Sequence, residues 1–258
     1  MKILFLGDIV GKSGRNAVLQ RLPFLQQTYG IDFTIINAEN SAHGKGITTK
    51  IYQSLKDAGT DVITLGNHAY SKREIMDQFE NCPDLVRPEN MDPAETGRGH
   101  VIRECKGKRI AVINLLGTIF MDQATESPIT VMQRLLEEIQ AEIVIVDLHA
   151  EATGEKEIFF HIFKDQVTAV LGTHTHVQTA DEQILDGCAY ITDAGMCGTF
   201  QSILGRSVEE VLARTLNSEK THFVPAEGPA VICGCVIEID DRTNRAVKIT
   251  RIMERPSE

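Results

Sequence analysis

No stretch of the 258-residue chain approaches the roughly 18 to 20 consecutive apolar residues that a membrane-spanning helix needs. The amino-terminal run MKILFLGDIVG meets Asp8 at once and has neither the length nor the cleavage region of a secretory leader. Basic charge is also in short supply: 26 Lys and Arg stand against 36 Asp and Glu, a formal net charge of -10. A protein that grasps duplex nucleic acid needs a basic face to displace counterions, so the charge argues against that class. It does not argue against a small anionic substrate, because bound cations would dominate the local field. The six cysteines show no paired zinc-knuckle spacing and read as reduced, structural thiols. Internal repeats, low-complexity tracts and linkers are missing too. The expectation is one cytoplasmic domain over residues 1–258, without membrane contact, acting on a small molecule and forming a homo-oligomer through exposed apolar helices.

What is present is an alternation of strand-like and helix-like segments. Runs rich in Ile, Val and Leu recur at 2–7, 33–38, 61–65, 109–115, 142–148, 167–172, 188–193, 230–239 and 246–252. Helical patterns occupy 13–28, 48–58, 72–80, 128–140, 153–165 and 207–217, with Pro23 expected to kink or break the first. Gly59 reads as a carboxy-terminal cap and Pro128 as a first-turn residue. Strands alternating with helices predict largely parallel pairing through right-handed crossovers. The last two strands, with only 240–245 between them, predict a closing antiparallel hairpin. The fold class expected is α/β: a layered α/β/β/α sandwich of two packed sheets.

The chemistry gathers where these runs end. LFLGD ends at Asp8, TIINAEN at Glu39 and Asn40, VITLGNH at Asn67 and His68, EIVIVDLH at His149, and AVLGTHTH carries His174 and His176. Carboxy-terminal strand ends are where open α/β sheets place their sites, so these donors would converge if the runs are sheet neighbours. Each residue has a plainer explanation: Asp8 could cap a helix, and a lone histidine is more often structural than ligating. An acid such as Glu39 in the continuation of a buried strand is harder to dismiss, since it is costly without a compensating charge. His174 and His176, two apart on a segment read as extended, would face one way. His100 and His222 read as loop residues and His161 as a helix residue that packs or faces solvent. His43 and Lys45, in the loop beside Glu39, are candidates to touch substrate. The segment from Gly7 to Ser13 imitates a phosphate-binding loop, but three residues rather than four separate Gly7 from Gly11-Lys12-Ser13. The donors point to a metal-dependent enzyme. A metal-dependent amidohydrolase and a metal-bound regulatory protein with little turnover are the alternatives.

In order and spacing, Asp8, Glu39, Gly66-Asn67-His68, His149 and Gly172-Thr173-His174-Thr175-His176 resemble the five metal-binding blocks of the calcineurin-like metallophosphoesterases. Two blocks depart: Val10 stands where Asp-x-His is usual, and Ala38-Glu39-Asn40 replaces Gly-Asp-x-x-Asp. Those departures, with Asn40-Ser41-Ala42-His43-Gly44-Lys45-Gly46-Ile47-Thr48 following, are similar to the YmdB-like bacterial phosphodiesterase subfamily over almost the whole chain. The resemblance implies hydrolysis of cyclic nucleotides, the 2',3'-cyclic ones and as an extension the 3',5'-cyclic ones. It implies two metal ions, iron or manganese, with zinc compatible with the donors. Carried over by position, Glu39 bridges both ions; Asp8, Asn40 and His176 complete one, and Asn67, His149 and His174 the other. A hydroxide held between the ions would attack phosphorus. His68 cannot easily ligate beside Asn67, since adjacent side chains diverge, and becomes the general acid.

Overall fold

The computed structural model describes residues 1–94 and 96–256. In chain order the elements are β1 (Lys2–Leu6), β2 (Asp8–Ile9), α1 (Gly11–Tyr29), β3 (Phe33–Asn37), α2 (Thr49–Asp57), β4 (Val62–Thr64), α3 (Arg73–Gln78), β5 (Leu85–Val86), β6 (His100–Cys105) and β7 (Lys108–Leu116). They continue with α4 (Pro128–Glu138), β8 (Ile143–His149), α5 (Thr153–Phe163), β9 (Ala169–Thr173), β10 (Gln183–Leu185), β11 (Cys188–Ile191), β12 (Met196–Thr199), α6 (Val208–Asn217), β13 (Ala230–Ile239) and β14 (Ala246–Glu254).

Among the described residues the strands form two sheets. The first runs β2-β12-β13-β1-β3-β4-β5, with β14 also on β13; the second runs β10-β11-β9-β8-β7-β6. Pairing is parallel from β1 through β3 and β4 to β5, and from β7 through β8 and β9 to β11. The closing hairpin is present as the antiparallel pair β13 and β14, with β13 also antiparallel to β1.

Strand alternation explains the layering. Ile3 and Phe5 of β1, Phe33 and Ile35 of β3, and Ile143 and Ile145 of β8 pack together between the sheets. Their neighbours turn outward: Leu4, Leu6 and Ile36 belong with Val18, Leu22 and Leu25 of α1, while Val144, Val146 and Leu148 belong with Leu135 of α4 and Phe159, Phe160 and Phe163 of α5. The result is the expected α/β/β/α sandwich.

Two expectations fail. Pro23 does not break α1, which runs unbroken to Tyr29. The proline sits on the exposed side while Leu22 and Leu25 are fully buried, so core burial outweighs a proline penalty of about 3 kcal/mol. His100 is not in a loop but opens β6, opposite Ile113 of β7.

A buried polar contact joins the sheets just under the strand ends. Asp147 of β8 accepts from Asn37 of β3 at 2.9 Å and from the Thr64 hydroxyl of β4. Its other oxygen accepts from Thr173 of β9 at 2.7 Å.

Candidate metal centre

All seven strand-end donors meet at one end of the sandwich. His149 Nε2 lies 3.0 Å from Asn67 Oδ1, 3.3 Å from Glu39 Oε1 and 3.1 Å from His174 Nδ1. Asn40 Nδ2 lies 2.8 Å from Glu39 Oε1 and 3.1 Å from His176 Nε2. Asp8 Oδ1 stands 3.9 Å from His149 Nδ1 and 4.0 Å from His176 Nε2. One candidate ligand atom from each of Glu39, His149 and His174 falls within 4.8 Å of the others.

Local structure delivers each group. β1 and β2 carry Asp8 into the interior. β3 ends at Asn37, whose side-chain oxygen accepts the Glu39 backbone N–H at 3.1 Å and so starts the turn that aims Glu39 inward. Glu39 Oε2 accepts the His68 backbone N–H at 3.0 Å. The histidine pair arrives differently from expectation: β9 stops at Thr173, and His174 and His176 adopt φ of 103° and 67°. They share a cavity because left-handed turns place them there, not through strand alternation. Non-glycine residues held in that region carry strain.

The protonation pattern of the imidazoles can be worked out from their partners. The Thr173 hydroxyl gives its one proton to Asp147, so it must accept from His149 Nδ1, 2.8 Å away. His176 Nδ1 faces the Leu204 carbonyl at 3.0 Å, an obligate acceptor. His174 Nε2 lies 3.1 Å from a Glu151 carboxylate oxygen. Each imidazole therefore has one nitrogen tied by an acceptor and the other turned onto the cluster. That is the arrangement in which histidine ligates a metal.

Three further features fit a cation. Asp8 Oδ1 is buried without a hydrogen-bond partner, an arrangement native interiors avoid. Gly66 leaves a hollow: a Cβ there would stand 2.3 Å from Glu39 Oε2 and 2.5 Å from His149 Nε2. The donors are oxygen and nitrogen with no thiolate, which suits iron, manganese or zinc. Without a cation, a proton takes its place. Burial alone would depress His149, but the Glu39 and Asp8 carboxylates raise it to about 9. Burial raises Asp8 to about 6 against the pull of His176 and His149. Burial opposes ionisation of Glu39 too, yet His149 holds it well below the usual carboxylate range. Burial and the His149 charge push His174 down to about 3.

A cavity of 450 Å³ opens over the cluster, lined by Glu39, Asn40, His68, Glu151, His174 and His176 together with Leu204, Arg206 and Phe223. His68 is half-buried, and burial lowers its pKa, with the Lys45 charge adding to that effect and Glu39 opposing it. Lys45 is itself exposed; His43 is exposed and lines a separate cavity with Arg15, Thr48 and Lys50. The structure thus brings eight candidates together, keeps Lys45 at the rim and leaves His43 outside.

Asp147, Thr173, Glu151 and Leu204 escaped the sequence reading. Asp147 is an acid among buried strand residues, the same signal that singled out Glu39. Nothing in the sequence marks a threonine hydroxyl or a backbone carbonyl.

Comparison with known proteins places the chain in a family. The family model described as YmdB-like protein matches residues 4–252. The chain is 45% identical over 256 residues to the 2',3'-cyclic-nucleotide 2'-phosphodiesterase of Bacillus subtilis (strain 168), covering 98% of this chain and 97% of that protein. The crystal structure of a phosphatase from Mycoplasma pneumoniae superposes with a TM-score of 0.94 at 38% identity, over 99% of this chain and 93% of the other. That of a hypothetical protein from Thermus thermophilus gives 0.93 at 38% identity, over 100% of both chains.

Proposed function

The chain belongs to the YmdB-like protein family and is a hydrolytic phosphoesterase, and on that premise we propose that it is a dinuclear metal-dependent phosphodiesterase that opens 2',3'-cyclic nucleotides. Hydrolysis of 3',5'-cyclic nucleotides is the wider range of the same reading. The observation that carries it is the set of three imidazoles, each tied by an acceptor on one nitrogen, with the other nitrogen of His149 turned onto Asn67 and Glu39, that of His176 onto Asn40 and Asp8, and that of His174 onto His149.

In this reading Glu39 would help to hold two ions. Asp8, the Asn40 amide oxygen and His176 Nε2 would hold one with it, and the Asn67 amide oxygen, His149 Nε2 and His174 Nδ1 the other. Asn40 turns its nitrogen toward Glu39 and His176, so it would ligate with the amide reversed. Two divalent ions held there, iron or manganese by donor type and zinc as a third fit, would activate water at neutral pH and neutralise phosphoryl charge.

The chain's own groups do the rest. Asp147 and Thr173 fix the His149 tautomer, the Leu204 carbonyl that of His176, and Glu151 that of His174. His68 lines the same cavity beside Glu39 and delivers a proton to the departing sugar oxygen. The acidic surface keeps polynucleotides at a distance, while the cavity admits a small diester.

The test is hydrolysis of 2',3'-cyclic AMP by protein loaded with manganese, with and without chelator, beside the metal content of wild type and Glu39→Gln. Two equivalents of metal in wild type, loss of at least one in the variant and abolition of turnover by chelator are expected. Full metal content in Glu39→Gln, or turnover indifferent to chelation, overturns the metal assignment. Efficient cleavage of long RNA with cyclic nucleotides untouched overturns the substrate.

A further inference from the structure

One wall of the cavity presents side chains that take no part in that chemistry. Leu204 and Val177 leave 47% and 58% of their surface exposed beside His176, and the Leu204 carbonyl is the group that holds His176. Next to them the Arg206 guanidinium lies 5.0 Å from the centre of the Phe223 ring. Phe223 in turn leans on the rim loop, where a Cβ on Gly44 would fall 2.1 Å from its ring.

Arg206 invites an anion-binding reading, and its partners argue against it. Its Nη2 donates to both oxygens of Glu210 at 2.7 and 2.8 Å, and its Nε to one of them at 3.1 Å. The charge is matched and the plane is fixed. A guanidinium so held offers a flat face more than a free cation.

The wall is also rigid. Ile203 and Arg206 exchange backbone hydrogen bonds of 3.0 and 2.9 Å, and Leu204 and Gly205 between them adopt φ of 53° and 84°. The Gly205 carbonyl accepts from Ala226 at 2.8 Å. Gly205 sits so close over Val10 that a Cβ would fall 2.5 Å from its Cγ1. Val10, at the position of the resemblance's missing histidine, therefore serves as the footing of this turn, within a small apolar cluster with Met196, Val231 and Cys233.

We propose that Leu204, Arg206 and Phe223 form a preorganised shelf that seats the nucleobase of the substrate, the ribose spanning from it to the metal-type cluster. The proposal rests on the cyclic-nucleotide reading above and adds a specificity determinant to it. A flat aromatic ring system tethered to a phosphodiester is the ligand chemistry this wall matches: contact from Leu204 on its face, and the flat faces of Phe223 and Arg206 for stacking. Removal of one stacking partner from a bound base weakens binding by roughly 5- to 100-fold.

The experiment compares kcat/KM for 2',3'-cyclic AMP with that for 1-O-methylribose 2',3'-cyclic phosphate, which has the same reacting group and no base. Wild type should prefer the nucleotide by more than about tenfold, and Phe223→Ala and Arg206→Ala should lose most of that preference through KM. Arg206→Lys, which keeps the charge but not the plane, should lose it too. Full preference in Arg206→Lys with loss in Arg206→Ala would mean a charge contact and overturn the shelf. So would equal losses on both substrates, or no preference in wild type. Melting temperature and metal content of each variant show that the fold and cluster persist. If Phe223→Ala does not fold, Leu204→Ser on the exposed lip reads the same surface. Should wild type turn over neither cyclic compound, the function fails separately, and titration with adenosine 3'-monophosphate against ribose 3-phosphate still decides. A base-dependent affinity lost in Phe223→Ala supports the shelf, and equal affinities overturn it.

Discussion

Lys156 and Asp193 are both fully buried and 3.0 Å apart. Lys156 Nζ also donates to the Thr173 carbonyl at 2.8 Å, and Asp193 accepts the backbone N–H of Thr175 at 3.0 Å. The pair therefore grips the chain on both sides of His174. Lys156→Met should destabilise the protein by about 3–5 kcal/mol, because Asp193 is left charged and unpaired, and should lower metal content as the turn relaxes. Denaturant midpoints and metal analysis check this; a variant of wild-type stability with full metal content refutes it. The second residue prediction concerns His68. A proton donor must be protonated, so turnover of substrates with basic leaving groups should decline as pH rises through the His68 pKa, which burial has lowered. Lys45→Gln removes a charge that contributes to the lowering and should move the decline to higher pH. His68→Ala should slow these substrates by roughly 10²–10⁴-fold, and p-nitrophenyl diesters less, with metal content preserved. Depletion of metal in His68→Ala to the extent seen in His174→Ala would place His68 among the ligands. The sequence marked His68 and the seven donors because each ends an apolar run. It could not mark Lys156 or Asp193 as a pair, since α5 and the segment after β11 meet only in three dimensions.

Among the elements, β1, β3, β8 and β9 were legible because burial on both faces writes an uninterrupted apolar run. β5 and β12 were not, being two and four residues long, too short for any period to register. β6 was hidden by its polar exposed face. The long helix α1 was legible in position but not in continuity, for the reason given at Pro23. Its contact with β12 makes a test. Gly14 of α1 lies so close that a Cβ would stand 2.0 Å from the Cys197 carbonyl oxygen. In an open helix Gly→Ala gains about 1 kcal/mol; here the methyl meets backbone that cannot rotate away, and overpacking of about 1–3 kcal/mol should win. Gly14→Ala should therefore lower the melting temperature, and with α1 displaced from β2 and Asp8, weaken metal retention. A raised melting temperature would show that the helix shifts at no cost.

For the whole molecule, removal of metal should make stability depend on pH in a direction fixed by His149. Its pKa is raised from 6.5 to about 9 in the folded chain, so its protonated form contributes stability fully below pH 6.5. That contribution is lost as pH rises toward 9. Asp8, raised from 3.8 to about 6, works in the same direction over its lower window. Chelated protein should therefore show a melting temperature that falls between pH 6.5 and 9, while loaded protein, whose imidazoles have already given up that proton, stays nearly level. Metal affinity should climb across the same interval. A rising melting temperature in chelated protein would contradict the assignment. Two-sheet layering was predicted from strand and helix alternation. The division of donors between the sheets was not, because strand order is a tertiary fact.

That division has a kinetic side. Asp8, Glu39, Asn40 and Asn67 come from the first sheet and its loops, His149, His174 and His176 from the second, and Asp147 ties the two below them. The cluster cannot form until the sheets have docked, so metal has little to grip during most of folding and should scarcely hasten it. Escape is another matter. Separating the sheets would tear every bridge across the cluster, so bound metal should slow unfolding far more than it speeds folding.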